Sequence, residues 1–143
     1  MVDLLRKSDA FVPKLSLVAL VNGKNVGHIL FTKNKIFNSA KNSFTESLSL
    51  APMAVKPEFQ KIGIGAKLIH KGLEIAKNIG FQSVIVLGNE HYYPKFCFEP
   101  SEKWNIFPPF EVPSENFIAL ELIENALKNV HGTVNYLNEF ELV

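Results

Sequence analysis

The stretch P-E-F-Q-K-I-G-I-G-A-K-L-I, residues 57–69, carries Gly63 and Gly65 two apart, with Gln60 three before the first. It stands between the apolar run LSLAPMAV and a segment of helical period. The first four N–H groups of a helix have no partner within it, and the macrodipole adds about half a positive charge there. A glycine-rich strand-to-helix turn can therefore hold a phosphate group on backbone donors. Gly63 and Gly65 remove the side chains that would block such an approach. Lys61 adds a mobile cation, and Gln60 can order the loop or donate to an anion oxygen. The run lacks the Gly-Lys-Ser/Thr end of a P-loop, and Leu68 stands where a dinucleotide fingerprint needs its third glycine. On these residues alone two readings stand: a phosphate cradle, or a glycine pair that lets the chain turn tightly into a packed helix.

A helix must carry this mouth, and the period from Ile64 to Ile79 supplies one. Ile64, Leu68, Ile75, Ala76 and Ile79, joined by Ile69 and Leu73, form the apolar side. Lys67, His70, Lys71, Glu74, Lys77 and Asn78 form the other. Gly80 is the expected stop. FTESLSLAPMAV (44–55) begins in alternation and turns almost wholly apolar, as in a strand covered on both faces. Pro52 within it predicts a bulge or an edge. SVIVL (83–87) reads as a short buried strand parallel to it, which makes 48–87 a strand–helix–strand unit.

Upstream, LSLVALV (15–21) and VGHILFT (26–32) read as a hairpin on the Asn22-Gly23 turn. Residues 2–8 read as a helix stub with Val2, Leu4 and Leu5 apolar and Arg6 and Lys7 polar. Residues 33–43 read as polar and irregular, with Ile36 and Phe37 available for pairing. Downstream, NEHYYPKFCF (89–98) holds a short helix or turn, and WNIFPPFEVP (104–113) is a loop rich in proline and aromatics. NFIALELI (116–123) is a strand, ENALKN a helical turn and GTVNYL (132–137) a last strand. With 143 residues and no repeat or low-complexity tract, one domain over 1–143 is expected.

Composition narrows the class. Fifteen basic against fourteen acidic side chains give a net charge of +1, without the basic excess of a nucleic-acid footprint. The single cysteine, Cys97, cannot form an intramolecular disulfide and signals no oxidising compartment. No apolar run approaches the roughly 20 residues that cross a bilayer. Charge breaks the N-terminal apolar stretch too early for a signal peptide. A cytoplasmic protein with neither nucleic-acid nor membrane partner is expected. The four histidines lack metal-ligand spacing and no cysteine pair supports zinc, so no metal is expected.

Q-K-I-G-I-G-A after L-A-P-M-A-V-K-P-E-F resembles motif A of the GCN5-related N-acetyltransferases (GNAT), written Q/R-x-x-G-x-G/A. Y-Y-P-K-F-C-F-E-P resembles that family's Tyr-x-x-x-Gly-Phe segment, which follows the next strand. Strand, loop, helix, strand and tyrosine segment come in the family's order, and LSLVAL…NVGHILFT matches the antiparallel strands before motif A. FIALELIENALKNVHGTVNY is similar to the tail of the YhbS-like subgroup. The resemblance implies an α/β (α+β) fold: a mixed, mostly antiparallel central sheet with a splayed parallel strand pair and flanking helices. Relative to that pattern the chain starts inside the helical region, so the family's N-terminal strand, which helps line the acceptor side, is expected to be missing.

The same resemblance implies acetyl-CoA as co-substrate and a small-molecule or peptide amine as acceptor. The pyrophosphate would lie on backbone N–H groups around Gln60, Lys61, Gly63, Ile64, Gly65 and Ala66. The pantetheine arm would run along Met53, Ala54 and Val55 like an added strand, and an N–H near Met53 would polarise the thioester carbonyl. Cys97 replaces the family's glycine and reads as a packing residue or a reactive thiol near the cofactor's sulfur. Four residues before it, Tyr93 is the expected general acid for the leaving thiolate, with Tyr92 the alternative. Glu46, Glu90, His91 and His28 are candidates for the base. The WNIFPPF loop would wall the acceptor site or bury itself in a homodimer, and GTVNYL is suited to edge pairing between copies. The competing reading is a non-catalytic coenzyme A-binding sensor or regulatory module.

Overall fold

The computed structural model describes residues 11–136. The helix expected over 2–8 lies outside them, as does Leu137. Eight strands form one sheet: β1 (Phe11–Val21), β2 (Lys24–Asn38), β3 (Ser43–Val55), β4 (Ser83–Leu87), β5 (Glu99–Pro100), β6 (Ile106–Phe107), β7 (Phe117–Glu121) and β8 (Gly132–Asn135). Their order is β5-β7-β4-β3-β2-β8-β6, with β1 also paired to β2. One α-helix, α1 (Ile64–Asn78), joins β3 to β4. Most pairs are antiparallel; β3 with β4 and β6 with β8 are parallel. This is the mixed sheet the motif order implies, with one α-helix among the described residues.

The strand–helix–strand unit stands where the periodicity put it. Val84 and Val86 face the layer that holds Leu48, Leu50, Leu68, Ile69 and Ala76, while Ile85 faces a second layer with Ile36, Trp104, Phe117 and Val134. Ile79 ends the helix exposed instead of joining its apolar side. Gly72 is buried in the helix instead: an added Cβ would lie 2.7 Å from Cζ of Phe31, so α1 and β2 touch through a missing side chain.

Several strands differ from the sequence reading: β1 already begins at Phe11, β6 lies inside the expected loop 104–113, and β2 and β8 depart most. β2 runs through Lys33–Asn38, because Thr32, Asn34 and Ile36 turn inward in strict alternation. Two of those inward residues are polar, which hides the period from a hydrophobic pattern; Asn34 Nδ2 donates to Ser49 Oγ at 2.6 Å. β8 is not a free edge. It lies between β2 (Lys35–Phe37) and β6 (Ile106–Phe107), with Val134 fully buried. At Thr133 the chain's own strands take both sides of β8, so the edge expected for pairing between copies is not open there.

Pro52 does what proline in a strand predicts. Ile29 pairs with Met53 and Phe31 with Leu50, so Ala51 and Pro52 together oppose Leu30 in a bulge, and the Ala51–Pro52 peptide is cis. On its other edge β3 pairs with β4 only at Leu48↔Val84 and Ser49↔Ile85. Beyond those pairs the two strands part, and the C-terminal half of β3 has no strand partner on that side.

Candidate functional site

A cleft of about 750 Å³ opens where β3 ends and α1 begins. It is lined by Met53, Ala54, Val55, Gln60, Lys61, Gly63, Gly65 and Ala66, together with Tyr92 and Lys95. Eight of the nine residues expected to hold the cofactor thus share one wall. Ile64 is the exception; it packs half-buried against the core.

Each wall residue has a local cause. Gln60 Nε2 donates to the carbonyl of Val55 at 2.9 Å, which ties the loop back onto the end of β3. Its first role is therefore ordering the loop. Gly63 caps α1 at φ +91°, a left-handed conformation that glycine adopts without the Cβ penalty. The glycine pair is thus partly conformational, and the tight-turn reading holds for Gly63. Lys61 adopts φ +66° with a side chain present. Gly65 is set by space: a Cβ there would approach the Tyr92 hydroxyl to 3.1 Å.

Lys67 N–H donates to the carbonyl of Gly63 at 3.0 Å, closing the first turn. No side chain caps the N–H groups ahead of it, and the first turn holds no acidic residue. The cleft thus presents backbone donors at the positive end of a helix. Two ammonium groups, Lys61 and Lys95, line the same opening. Such donors and cations suit an anionic group, above an apolar floor of Met53, Ala54 and Val55.

Lys95 escaped the sequence reading, although a signal exists. Pro94 sits in a 3-10 turn, Tyr93–Phe96, capped by Tyr92. Residues three apart eclipse in such a turn, so Tyr92 and Lys95 emerge together, with Lys95 Nζ 5.0 Å from the Tyr92 ring centroid.

The two tyrosines diverge. Tyr92 lines the cleft at the helix mouth. Tyr93 is not among the lining residues; its ring lies over Gly88, just past the end of β4, and meets Phe98 edge-on at 5.8 Å. Tyr92 contacts Tyr93 and Phe96 edge-on, so one aromatic chain fixes both rings. Burial raises both phenol pKa values, and for Tyr93 the charge of an ionised Tyr92 raises it further. Both hydroxyls therefore hold their protons at neutral pH.

The candidate bases do not converge. Glu46 is exposed on the paired half of β3, opposite Lys35. Glu90 and His91 face each other at 3.5 Å at the surface. His28 pairs with Ala54 and lines a separate shallow opening with Asn25 and Lys56. Cys97 is exposed, not packed, and adopts φ +73° at the end of the 3-10 turn. A left-handed residue at that position explains a glycine preference there. Among the described residues no group of three or more His, Cys, Asp or Glu side chains could hold a metal ion, and no helix is long and apolar enough to cross a membrane.

Known proteins resemble this chain in sequence and in fold. The chain is 42% identical over 113 residues to the uncharacterized N-acetyltransferase YjhQ of Escherichia coli, a match covering 78% of this chain and 61% of YjhQ. The crystal structure of the GNAT family N-acetyltransferase YhbS from Escherichia coli in complex with CoA matches with a TM-score of 0.88 at 24% identity, over 98% of this chain and 75% of that one. A GNAT family acetyltransferase from Brucella melitensis in complex with acetyl-CoA matches with a TM-score of 0.75 at 29% identity, over 97% and 75%. The profile of the acetyltransferase (GNAT) family aligns with residues 2–97. On the strength of that alignment, reaching from the N-terminal segment through the helix mouth to Cys97, the chain belongs to the acetyltransferase (GNAT) family.

Proposed function

We propose that the chain transfers the acetyl group of acetyl-CoA to a primary amine by direct attack in a ternary complex. The observation that carries this reading is the cleft at the mouth of α1. It joins bare helix N–H groups and two lysines to the unpaired edge of β3, and its volume suits a cofactor-sized ligand.

In this reading the N–H groups around Gly63–Ala66, with Lys61 and Lys95, hold the pyrophosphate. Gln60 keeps the loop folded for it. Met53, Ala54 and Val55 guide the pantetheine arm, and an N–H near Met53 stabilises the oxyanion, a contribution of about 3 kcal/mol for such donors. The amine nitrogen bonds to the carbonyl carbon, the carbon–sulfur bond breaks, and the ammonium proton leaves to water. Tyr93 protonates the departing thiolate. Its position beside the end of β4 supports this role, since the splay of β3 from β4 is where the thioester would lie. Tyr92, at the phosphate end, serves binding. In this reading residues 1–143 belong to one acetyltransferase domain.

A non-catalytic coenzyme A-binding module remains the second reading, favoured by one observation: no carboxylate or imidazole lines the cleft. Calorimetric titration with acetyl-CoA, beside Gly65→Glu, tests binding. Affinity lost in the variant supports the cradle; no binding by the parent chain overturns both readings. Thiol release with an amine panel then separates them.

A further inference from the structure

We infer that the acceptor is a primary amine carried on a compact apolar group of about ring size, seated in a second cavity on the sheet face opposite α1. This rests on the acetyl-transfer reading above.

The cavity measures about 250 Å³ and is lined by Leu50, Ala51, Ile85, Leu87, Phe110 and Tyr136, with Ser49 at its base. It lies where β3 and β4 part. Leu50 and Ala51 border it, and Met53 and Ala54, three residues further along the same strand, border the α1-side cleft. An amine entering from one face and a thioester from the other would meet across the bulge at Pro52.

Its chemistry selects the acceptor. None of its described lining residues is charged. Ser49 Oγ already accepts from Asn34 Nδ2. Burial pushes the Tyr136 phenol up to about 12, so it stays neutral. Phe110 and Tyr136 stack 12° from parallel with centroids 6.3 Å apart and present aromatic surface to the cavity. A polyamine or aminoglycoside would bring further cations to a wall whose described residues offer no counter-charge, and its polar body would leave the apolar surface of Leu50, Ile85 and Phe110 uncovered. The volume, below the range of drug-sized pockets, suits a single ring or a branched aliphatic group beside the amine. Phe110 lies in the proline-rich loop that the sequence marked as an acceptor wall or a dimer contact.

The test uses the full chain. Acetyl-CoA binding is measured first by calorimetry. Turnover is then compared for 2-phenylethylamine and spermidine by mass spectrometry of the acetylated products. The expected result is a kcat/KM at least about tenfold higher for 2-phenylethylamine, the scale on which apolar pockets discriminate. Phe110→Ala should raise KM for that amine about tenfold and leave acetyl-CoA affinity unchanged. Phe110→Glu should move the preference toward spermidine. Preference of the parent chain for spermidine, or indifference of both variants, overturns the acceptor inference while the acetyl-transfer reading stands. Should acetyl-CoA bind and neither amine turn over, saturation-transfer NMR on 2-phenylethylamine decides: transfer lost in Phe110→Ala supports the site, and its absence in the parent chain overturns it. Absence of acetyl-CoA binding overturns the reading beneath both.

Discussion

The Tyr93 ring lies directly over Gly88: a Cβ added to the glycine would fall 2.9 Å from Cδ2 of the tyrosine. The backbone of Gly88 cannot yield, because Asn116 holds it on both sides. Gly88 N–H donates to the Asn116 carbonyl at 2.9 Å, and Asn116 Nδ2 donates to the Gly88 carbonyl at 3.0 Å. The end of β4 is thus a platform for the proposed acid. Gly88→Ala should tilt the ring and lower kcat by about tenfold or more, as misplaced catalytic groups do, with acetyl-CoA affinity retained. Steady-state kinetics beside calorimetry checks this; an unchanged kcat would separate Tyr93 from the chemistry.

Tyr93→Phe and Tyr92→Phe should have opposite signatures. Loss of the general acid is expected to reduce kcat by about 10²-fold or more without weakening acetyl-CoA binding. Tyr92→Phe, whose hydroxyl sits against Gly65 at the helix mouth, should weaken acetyl-CoA binding and leave kcat within a few-fold. If the kinetic loss falls on Tyr92 instead, the roles are exchanged.

The pH profile follows from the same site. Among the described residues neither the cleft nor the second cavity is lined by a carboxylate or imidazole, so the amine should react in its neutral form after losing its proton to water. Rate per total amine should then rise about tenfold per pH unit until the acceptor's own pKa. The pKa of Tyr93 is raised, first by burial and then by Tyr92. A raised value keeps the phenol protonated further into alkali, so its loss should appear only above the ordinary tyrosine value of about 10. Two amines of different pKa, assayed in one buffer series, distinguish this from a residue base: a protein base would give both the same acidic limb.

Cys97→Gly should stabilise the fold. A side chain at φ +73° carries a left-handed penalty of about 1–2 kcal/mol. Glycine's greater freedom in the unfolded chain gives back about 0.5–1 kcal/mol. The thiol is exposed, so little packing is lost. The net gain should lie between about 0 and 1.5 kcal/mol, seen as a rise of up to a few degrees in Tm.

Gly72→Ala should do the reverse. Helix propensity favours alanine by about 1 kcal/mol, yet the new methyl would meet the ring of Phe31, which is 0% exposed and has nowhere to move. Overpacking costs about 1–3 kcal/mol and should win. Chemical denaturation would show a lower midpoint at unchanged slope.

What could be read in advance was whatever rests on local pattern. Ile64–Asn78 announced a helix because its apolar spacing matches one turn, and SVIVL announced a buried strand because it is apolar throughout. Pro52 announced a bulge because proline cannot serve a ladder on both sides. Resemblance in the Q-K-I-G-I-G-A stretch then located the wall of the cleft nearly residue for residue. The last third of β2 was not legible, since Thr32 and Asn34 are inward-facing polar residues whose burial depends on partners across the sheet, such as Ser49. The setting of β8 between β2 and β6 depends on a parallel pairing of two residues from a loop that no period reveals. Gly72, Gly88 and Lys95 owe their meaning to Phe31, Tyr93 and the cleft respectively. Contacts of that kind join residues far apart in the chain, or turn a side chain toward a common opening. Spacing along the sequence carries no record of which neighbour each one meets; that is settled only when the sheet closes and the two ends of β3 and β4 part.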